Sequence, residues 1–163
     1  MLCLVILALN LRELIYIRAT TNPNARWLKQ QMLNAFDGQK VPEICICDND
    51  AIFGNWFKIE MKKLLGIKVH HNPYRSPEKK GRVERVNRTI KQECFDFVVI
   101  INLGQFNRVA REYKNYYNYH RSHQGIDGKI PLKEKENLID IQKYQVKNHL
   151  DGKMKSFELK IAA

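Results

Sequence analysis

The feature that most constrains the fold of this chain is a short apolar run that stops at an acid. The run Ile44–Cys47 is apolar without alternation, and Asp48 follows it directly. An unbroken run of this length is typical of a strand buried on both faces of a parallel or mixed sheet, so we predict a strand over residues 43–47. An acid after such a strand lies at its carboxyl end, the edge of open α/β sheets where ligands bind. The sequence therefore predicts an α/β fold with Asp48 at a ligand-binding edge.

A second acid, Glu84, lies inside a basic segment with the composition of a helix. The segment opens with Pro77 and Gly81 and continues with helix formers, so the Glu84 side chain can reach the same sheet edge. The two positions differ by 36 (84 − 48), which leaves 35 residues between the acids. Two neighbouring carboxylates repel each other unless a hard cation lies between them, and oxygen ligands favour magnesium or manganese. The alternative is that Asp48 only caps a turn and that Glu84 is a solvated partner of Arg88.

The order of elements along the chain mixes strands and helices. The predicted elements are strands over residues 2–9 and 14–20, a helix from the Asn22-Pro23-Asn24 cap to Asp37-Gly38, the strand over 43–47, a helix over 52–65 ended by Gly66, a strand over 67–71, the Glu84 helix and a helix over 103–120. An aromatic stripe on the last helix favours a core face over a base-stacking platform. The opening apolar run has nine residues. A transmembrane span needs about twenty, so no membrane partner is expected.

The charge of the chain indicates a polyanionic partner. The 163 residues carry a net charge of +11, and their 44% hydrophobic content suits one globular domain with a core. Between Arg75 and Glu93, seven cations oppose three acids. We predict DNA as the partner, contacted by Lys79, Lys80, Arg82, Arg85, Arg88 and Lys91. Glu84, Arg88 and Lys91 share one helix face, which suits an acid site beside a phosphate backbone; a solvated charged face is the alternative.

The cysteines and histidines do not favour a zinc site. The four cysteines, Cys3, Cys45, Cys47 and Cys94, lack the paired spacing of a zinc ribbon, and Cys45 and Cys47 alternate onto one face of the predicted strand. We interpret them as small core residues in a reducing compartment, the cytoplasm or the nucleoid. No cysteine accompanies His70-His71 or the pair His120 and His123 at ligand spacing. His120, Arg121 and His123 either contact DNA or close the fold.

Four ordered motifs carry a resemblance to a known family. They are Asp48-Asn49-Asp50-Ala51-Ile52-Phe53-Gly54, Asn72-Pro73-Tyr74-Arg75-Ser76-Pro77, Gly81-Arg82-Val83-Glu84-Arg85-Val86-Asn87-Arg88-Thr89-Ile90-Lys91-Gln92-Glu93 and Tyr116-Tyr117-Asn118-Tyr119-His120-Arg121-Ser122-His123. In this order they resemble the integrase core of insertion-sequence transposases, over most of the chain. The resemblance implies a ribonuclease H-like mixed sheet flanked by helices. It also implies a catalytic triad of Asp, Asp and Glu whose last two members are separated by 35 residues, as Asp48 and Glu84 are.

The chain departs from the family pattern at the first catalytic position. In the family a further strand comes first and carries the first Asp, whereas residues 2–9 here match the second strand and no acid precedes Glu13. We therefore expect a catalytic core over residues 1–131 that is truncated at its N-terminus and lacks one metal ligand. Asp50 is a rival ligand, although the spacing to Phe53 favours Asp48. Lys80 stands where relatives often carry a polar amide, which would alter contacts with DNA or a partner.

The end of the chain is predicted to form a small extension over residues 132–163. The charged segment Lys133–Asn137 has the composition of a linker. An Asp151-Gly152 turn between partly apolar runs, within residues 143–161, predicts a small hairpin.

The resemblance implies a transposase or integrase core that performs magnesium- or manganese-dependent phosphoryl transfer, namely DNA cleavage and strand transfer. Asp48 and Glu84 would be the catalytic, metal-binding residues. The alternative is a non-catalytic basic DNA-binding or assembly fragment of a decayed or split transposase. Besides DNA, the expected partners are a second copy of the chain or the missing N-terminal segment.

Overall fold

The computed structural model describes residues 1–71, 77–132 and 144–159. Ten helices and strands follow in this order: β1 Leu2–Ala8, β2 Glu13–Thr20, α1 Ala25–Phe36, β3 Ile44–Cys47, α2 Asn55–Leu65, β4 Lys68–His71, α3 Pro77–Glu93, α4 Leu103–Tyr119, β5 Tyr144–His149 and β6 Met154–Leu159. Single 3₁₀ turns lie at Ala51–Phe53, Phe95–Phe97 and Gln124–Ile126. This order confirms the predicted α/β class. The predicted linker Lys133–Asn137 lies outside the described residues.

The chain divides into two compact units. The first comprises Met1–Cys3 and Thr20–Val86, and the second comprises Leu4–Ala19 and Asn87–Ala163. The largest fully buried side chains of the first unit are Leu28, Met32, Phe57, Met61 and Ile67. Those of the second are Leu14, Cys94, Tyr113, Tyr117 and Asn118. Each unit thus has an apolar interior of its own, and both candidate acids, Asp48 and Glu84, belong to the first unit.

The strands pair two by two in the described part of the chain. β1 pairs with β2, β3 pairs in parallel with β4, and β5 pairs antiparallel with β6. The prediction that β3 is buried on both faces is wrong, because Ile44 is 54% exposed and Cys47 is the one buried residue of this strand. An unbroken apolar run shows that a strand tolerates burial, but the number of elements packed on each face decides how much of it is buried.

Local capping groups fix the helix boundaries that the sequence predicted. The Asn24 side chain accepts a hydrogen bond from the Trp27 N–H at 2.9 Å and caps α1. Gly66 ends α2 in the left-handed conformation (φ 71°), which a residue without Cβ adopts without steric cost. The region predicted as one helix over 52–65 is divided by Gly54 into a 3₁₀ turn and α2.

Helix α4 packs its aromatic stripe into the second unit. Phe106, Val109, Ala110, Tyr113 and Tyr117 are all buried, which confirms the core interpretation of this stripe. Tyr116, between them, is only half-buried.

Two asparagines of α4 hold the backbone of β2. The Asn118 side chain accepts from the Leu14 N–H at 2.8 Å and donates to the Leu14 carbonyl at 3.0 Å. Asn107 does the same for Ala19, at 2.9 and 3.3 Å. Asn118 is 1% exposed. Since buried backbone groups need partners, these amides do for β2 what a neighbouring strand would do.

The connection from α3 to α4 exposes apolar side chains. Val99 is 82% and Ile101 is 83% exposed, and Phe97 is also exposed. The Gln105 side chain binds this segment through both of its polar atoms, accepting from the Ile101 N–H at 2.8 Å and donating to the Val99 carbonyl at 3.1 Å. The segment is therefore held in place by α4 while these three side chains face solvent.

The predicted C-terminal hairpin is present. Strands β5 and β6 pair from Tyr144↔Leu159 to His149↔Met154. The four residues between them include Leu150, Asp151 and Gly152 with positive φ, the conformation that tight hairpin turns need. None of the helices in the described ranges is long and apolar enough to cross a membrane.

Candidate functional site

Asp48 lies where the sequence predicted, at the carboxyl end of a strand with a parallel neighbour. In the β3–β4 register Cys47 is opposite His71, so the two strands end side by side. Asp48 is exposed, and its backbone carbonyl lies 3.1 Å from Nδ1 of His71. This contact ties the residue to the end of β4. The role of His71 was missed from the sequence, because it depends on the pairing of β3 with β4.

Asp50, the rival acid, has a local role. Its side chain accepts a hydrogen bond from the Ile52 N–H at 3.0 Å and caps the 3₁₀ turn Ala51–Phe53. Asp50 therefore faces the turn that begins the next helical region. Its carboxylate stabilises the chain reversal after β3, which leaves Asp48 as the better candidate for an external ligand.

Glu84 lies in α3 with an exposed side chain. The helix begins at Pro77, so Glu84 comes about two turns into it. The predicted helix is confirmed, whereas convergence of the Asp48 and Glu84 carboxylates on one cation stays a prediction. The opposite side of the helix carries the buried residues Val86 and Ile90. Val83 is 36% exposed, so the buried face of α3 does not include every apolar residue of the helix.

The basic residues of α3 are exposed wherever their side chains are described. Arg85 and Arg88 face solvent. Lys91 forms an ion pair with Asp96 at 2.6 Å, and its side chain is 70% exposed. The side chains of Lys79, Lys80 and Arg82 lie outside the described part of the structure. Arg85 and Arg88 are thus the best-defined candidates for contacts with a phosphate backbone.

Arg121 forms an ion pair with Glu93 within the second unit. Its guanidinium binds both oxygens of Glu93, with Nε 2.6 Å from Oε2 and Nη2 2.5 Å from Oε1. The Tyr113 hydroxyl also donates to Glu93 Oε2, at 3.2 Å. The bond to Glu93 raises the pKa of Arg121, and burial together with the Glu93 charge raises the pKa of Tyr113. Of the two interpretations left open for Arg121, the structure supports closure of the fold.

His123 lies beside this ion pair and contacts Arg121. It is 8% exposed, with Nε2 3.3 Å from the Tyr117 carbonyl and Nδ1 3.0 Å from Nη1 of Arg121. Burial lowers the pKa of His123, so the neutral ring is the favoured form.

His120 lies against the C-terminal hairpin. Its Nε2 is 3.5 Å from Glu158 Oε1, and its ring centroid is 4.6 Å from that of His149. His149 in turn lies 2.7 Å from the Ser156 hydroxyl, through Nε2. Burial and the nearby Lys147 charge lower the pKa of His149. His120 therefore joins α4 to the hairpin.

The chemistry of the candidate donors favours a hard cation. The described residues hold no group of three or more His, Cys, Asp or Glu side chains that could bind a metal ion. The donors that Asp48 and Glu84 offer are carboxylate oxygens, which suit magnesium or manganese and do not suit a soft metal.

Comparison with known proteins supports the resemblance. The family model described as "integrase core domain" matches residues 65–131, which include Glu84 and the motif that ends at His123. Among solved structures, the catalytic core domain of BIV integrase is similar with a TM-score of 0.61 and 18% identity, over 78% of this chain and 80% of that chain. At 18% identity, this structural similarity is evidence for the fold alone. Residues 65–131 therefore match the integrase core domain, and the chain has an α/β fold that resembles an integrase catalytic core, as its motifs predicted.

Proposed function

We propose that this chain is the core of a DNA transposase or integrase, in which Asp48 and Glu84 hold a divalent cation against DNA. The observation that carries the proposal is the exposed Asp48 at the end of a parallel strand, in a fold resembling an integrase core. The family match covers Glu84, the second acid. The ribonuclease H-like mixed sheet belongs to the same proposal, because it would bring the ends of β3 and further strands to one edge.

The roles of the chain's own residues follow from their chemistry. Asp48 and Glu84 would hold magnesium or manganese, which, when bound, activates a nucleophile and stabilises the leaving oxygen of a phosphodiester. Arg85 and Arg88 would bind phosphates and position the DNA without reading its sequence. The His71 contact keeps the Asp48 backbone at the ends of β3 and β4, so that the carboxylate projects from a defined point.

DNA nicking tests the catalytic part of the proposal. We expect the 163-residue chain alone to leave supercoiled DNA intact, because two-metal chemistry needs cations clamped about 4 Å apart and two carboxylates hold one position loosely. A strand bearing an Asp, fused before Met1 or added as a peptide beside β1, should produce magnesium- or manganese-dependent nicking.

The controls separate the candidate ligands. Glu84→Gln and Asp48→Asn in the extended form should abolish nicking. Asp50→Asn should preserve it, because asparagine caps a helix as well as aspartate does while removing the charge. Metal-dependent nicking by the unextended chain, lost on Glu84→Gln, would show that the ligand assignment is wrong.

The second candidate function is non-catalytic DNA binding or assembly. It is favoured by the exposed Arg85 and Arg88 on α3, which can bind phosphates whether or not the acids hold a metal. Both functions predict salt-sensitive binding of duplex DNA, because phosphate contacts release counterions. Removing one phosphate-binding side chain should lower the slope of log affinity against log salt by about 0.9.

A paired substitution tests the DNA surface. Arg85 and Arg88 changed together to Ala should reduce affinity and slope. The control is Arg108 and Arg111 changed to Ala, since these arginines lie on α4 instead of α3. Equal reductions in the two double variants would refute a surface centred on α3. DNA binding without nicking in every extended form would favour the second function.

A further inference from the structure

A pair of thiols lies directly before Asp48. Cys45 and Cys47 are on one face of β3, and their sulfur atoms are 3.7 Å apart, within hydrogen-bonding distance. Cys45 is half-buried and Cys47 is 7% exposed. The other two cysteines, Cys3 and Cys94, are also free. Two thiols this close, one of them in a half-buried residue, form a cluster that the proposed function does not use.

We propose that Cys45 and Cys47 are a redox modification site, which hydrogen peroxide converts into an intramolecular disulfide, and that this bond displaces Asp48. Disulfide formation does not depend on the proposed function. Any effect of the displaced Asp48 on metal binding does rest on the proposed function.

The reaction balances with peroxide as the oxidant. The Cys45 thiolate attacks one peroxide oxygen, the O–O bond breaks, and Cys45 becomes a sulfenic acid while the other oxygen leaves as water. The Cys47 sulfur then attacks the Cys45 sulfur, the S–O bond breaks, and the oxygen leaves as a second water with the Cys47 proton. Two thiols and one peroxide thus give one disulfide and two waters. The hydrogen bond from Cys47 lowers the pKa of Cys45, which supports Cys45 as the attacking sulfur.

The geometry of a strand makes this disulfide strained. The sulfurs must move from 3.7 Å to a bond length of about 2.05 Å. Alternate residues of a strand have Cα atoms about 6.6 Å apart, near the long end of the range that disulfides span. Closing the bond therefore bends β3. The nearest elements to respond are the Cys47–His71 pairing and the contact of His71 with the Asp48 carbonyl.

The bend couples the oxidation state of Cys45 and Cys47 to the position of Asp48. A strained disulfide is more easily reduced than a relaxed one, so the modification is reversible in a reducing compartment. The reduced form has the β3–β4 geometry described above, and the oxidised form does not.

Thiol counting with mass spectrometry tests the modification itself. After peroxide treatment, unfolding in denaturant and alkylation of the full chain, we expect two of the four cysteines to resist labelling, with the loss of two hydrogens mapped to the peptide containing residues 45–47. Cys45→Ser and Cys47→Ser should each prevent this loss. The matched control, Cys3→Ser with Cys94→Ser, should retain it. A control variant that stays fully reduced, or that shows only sulfinic acid at Cys45, would overturn the proposal.

Hydrogen exchange tests the displacement independently of DNA or metal. On oxidation the amides of β4 should exchange about tenfold faster, since loss of about 1.4 kcal/mol of local stability is a factor of ten. Cys45→Ser should show no change with peroxide. Unchanged exchange in a protein whose disulfide is demonstrated would refute the displacement. Magnesium titration of the reduced chain tests the proposed function separately, because its failure leaves the disulfide and exchange results intact.

Discussion

The key polar side chains of the two units of this molecule differ in their exposure to solvent. In the second unit Asn118, Arg121 and His123 are turned inward and bind other groups of the same unit. In the first unit the candidate acids, Asp48 and Glu84, are exposed. Inward polar groups contribute to folding because their removal leaves buried partners unsatisfied, whereas exposed acids contribute little. We therefore expect the inward polar residues to stabilise the fold, and we propose the exposed acids as ligands.

The largest effect should come from Asn118→Ala. This change leaves the N–H and the carbonyl of Leu14 without their partner, and each buried orphan costs about 1–3 kcal/mol. We expect a decrease of about 3 kcal/mol in the free energy of unfolding, measured by urea denaturation. Asn107→Ala removes the same pair of bonds at a half-buried position and should cost about 1 kcal/mol. Equal decreases in the two variants would mean that the burial of the asparagine does not determine how much stability is lost.

Arg121→Ala should cost somewhat less, about 2 kcal/mol, because the pair with Glu93 is only partly buried. The side chains of Arg121 and Glu93 are 23% and 36% exposed, against 70% and 44% for Lys91 and Asp96. Lys91→Ala should therefore cost less than about 0.5 kcal/mol. A double-mutant cycle with Glu93→Gln measures the coupling. A negligible coupling energy would mean that the pair of Arg121 and Glu93 contributes little to the stability of the second unit.

Acid should destabilise the second unit through His123. Because burial lowers its folded pKa, the unfolded chain binds a proton more readily. The stability is fully present above the unfolded value of about 6.5 and is lost as pH falls from there through the lower folded pKa. The pKa of His149 is lowered as well, so each single change to Gln should reduce the pH slope, and the double change should reduce it further. An unchanged slope in the double variant would refute this assignment.

The smallest effect on stability should come from the candidate site. Asp48→Asn and Glu84→Gln remove exposed charges, so each should change the unfolding free energy by less than about 0.5 kcal/mol. The same variants should lose any rise in melting temperature caused by magnesium, because a ligand stabilises only a protein that binds it. Large destabilisation by either change would assign that acid a structural role and remove the contrast between the units.

The order of elements was predictable because it depends on local signals. Asn24, Gly66 and the Asp151-Gly152 turn mark boundaries through their own conformational preferences, and the structure places boundaries at all three. The position of Asp48 followed from the apolar run before it.

The missed features depend on distant partners. The bonds between Asn118 and Leu14 join residues 104 positions apart, and no local pattern indicates such a pair. The same reason explains why Arg121 could not be assigned without knowing that Glu93 faces it, 28 positions away. The exposure of Ile44 was missed because residue type does not report how many elements cover a strand.

The Gln105 contact has a consequence for how this protein behaves at high concentration. The segment Phe97–Ile101 has five consecutive apolar residues without charge or proline, the composition of segments that stack into cross-β fibrils. Such stacking begins when the backbone groups of one chain pair with those of another. Gln105 already occupies the Ile101 N–H and the Val99 carbonyl. One amide side chain thus blocks two of the backbone groups through which this apolar segment could pair with another chain.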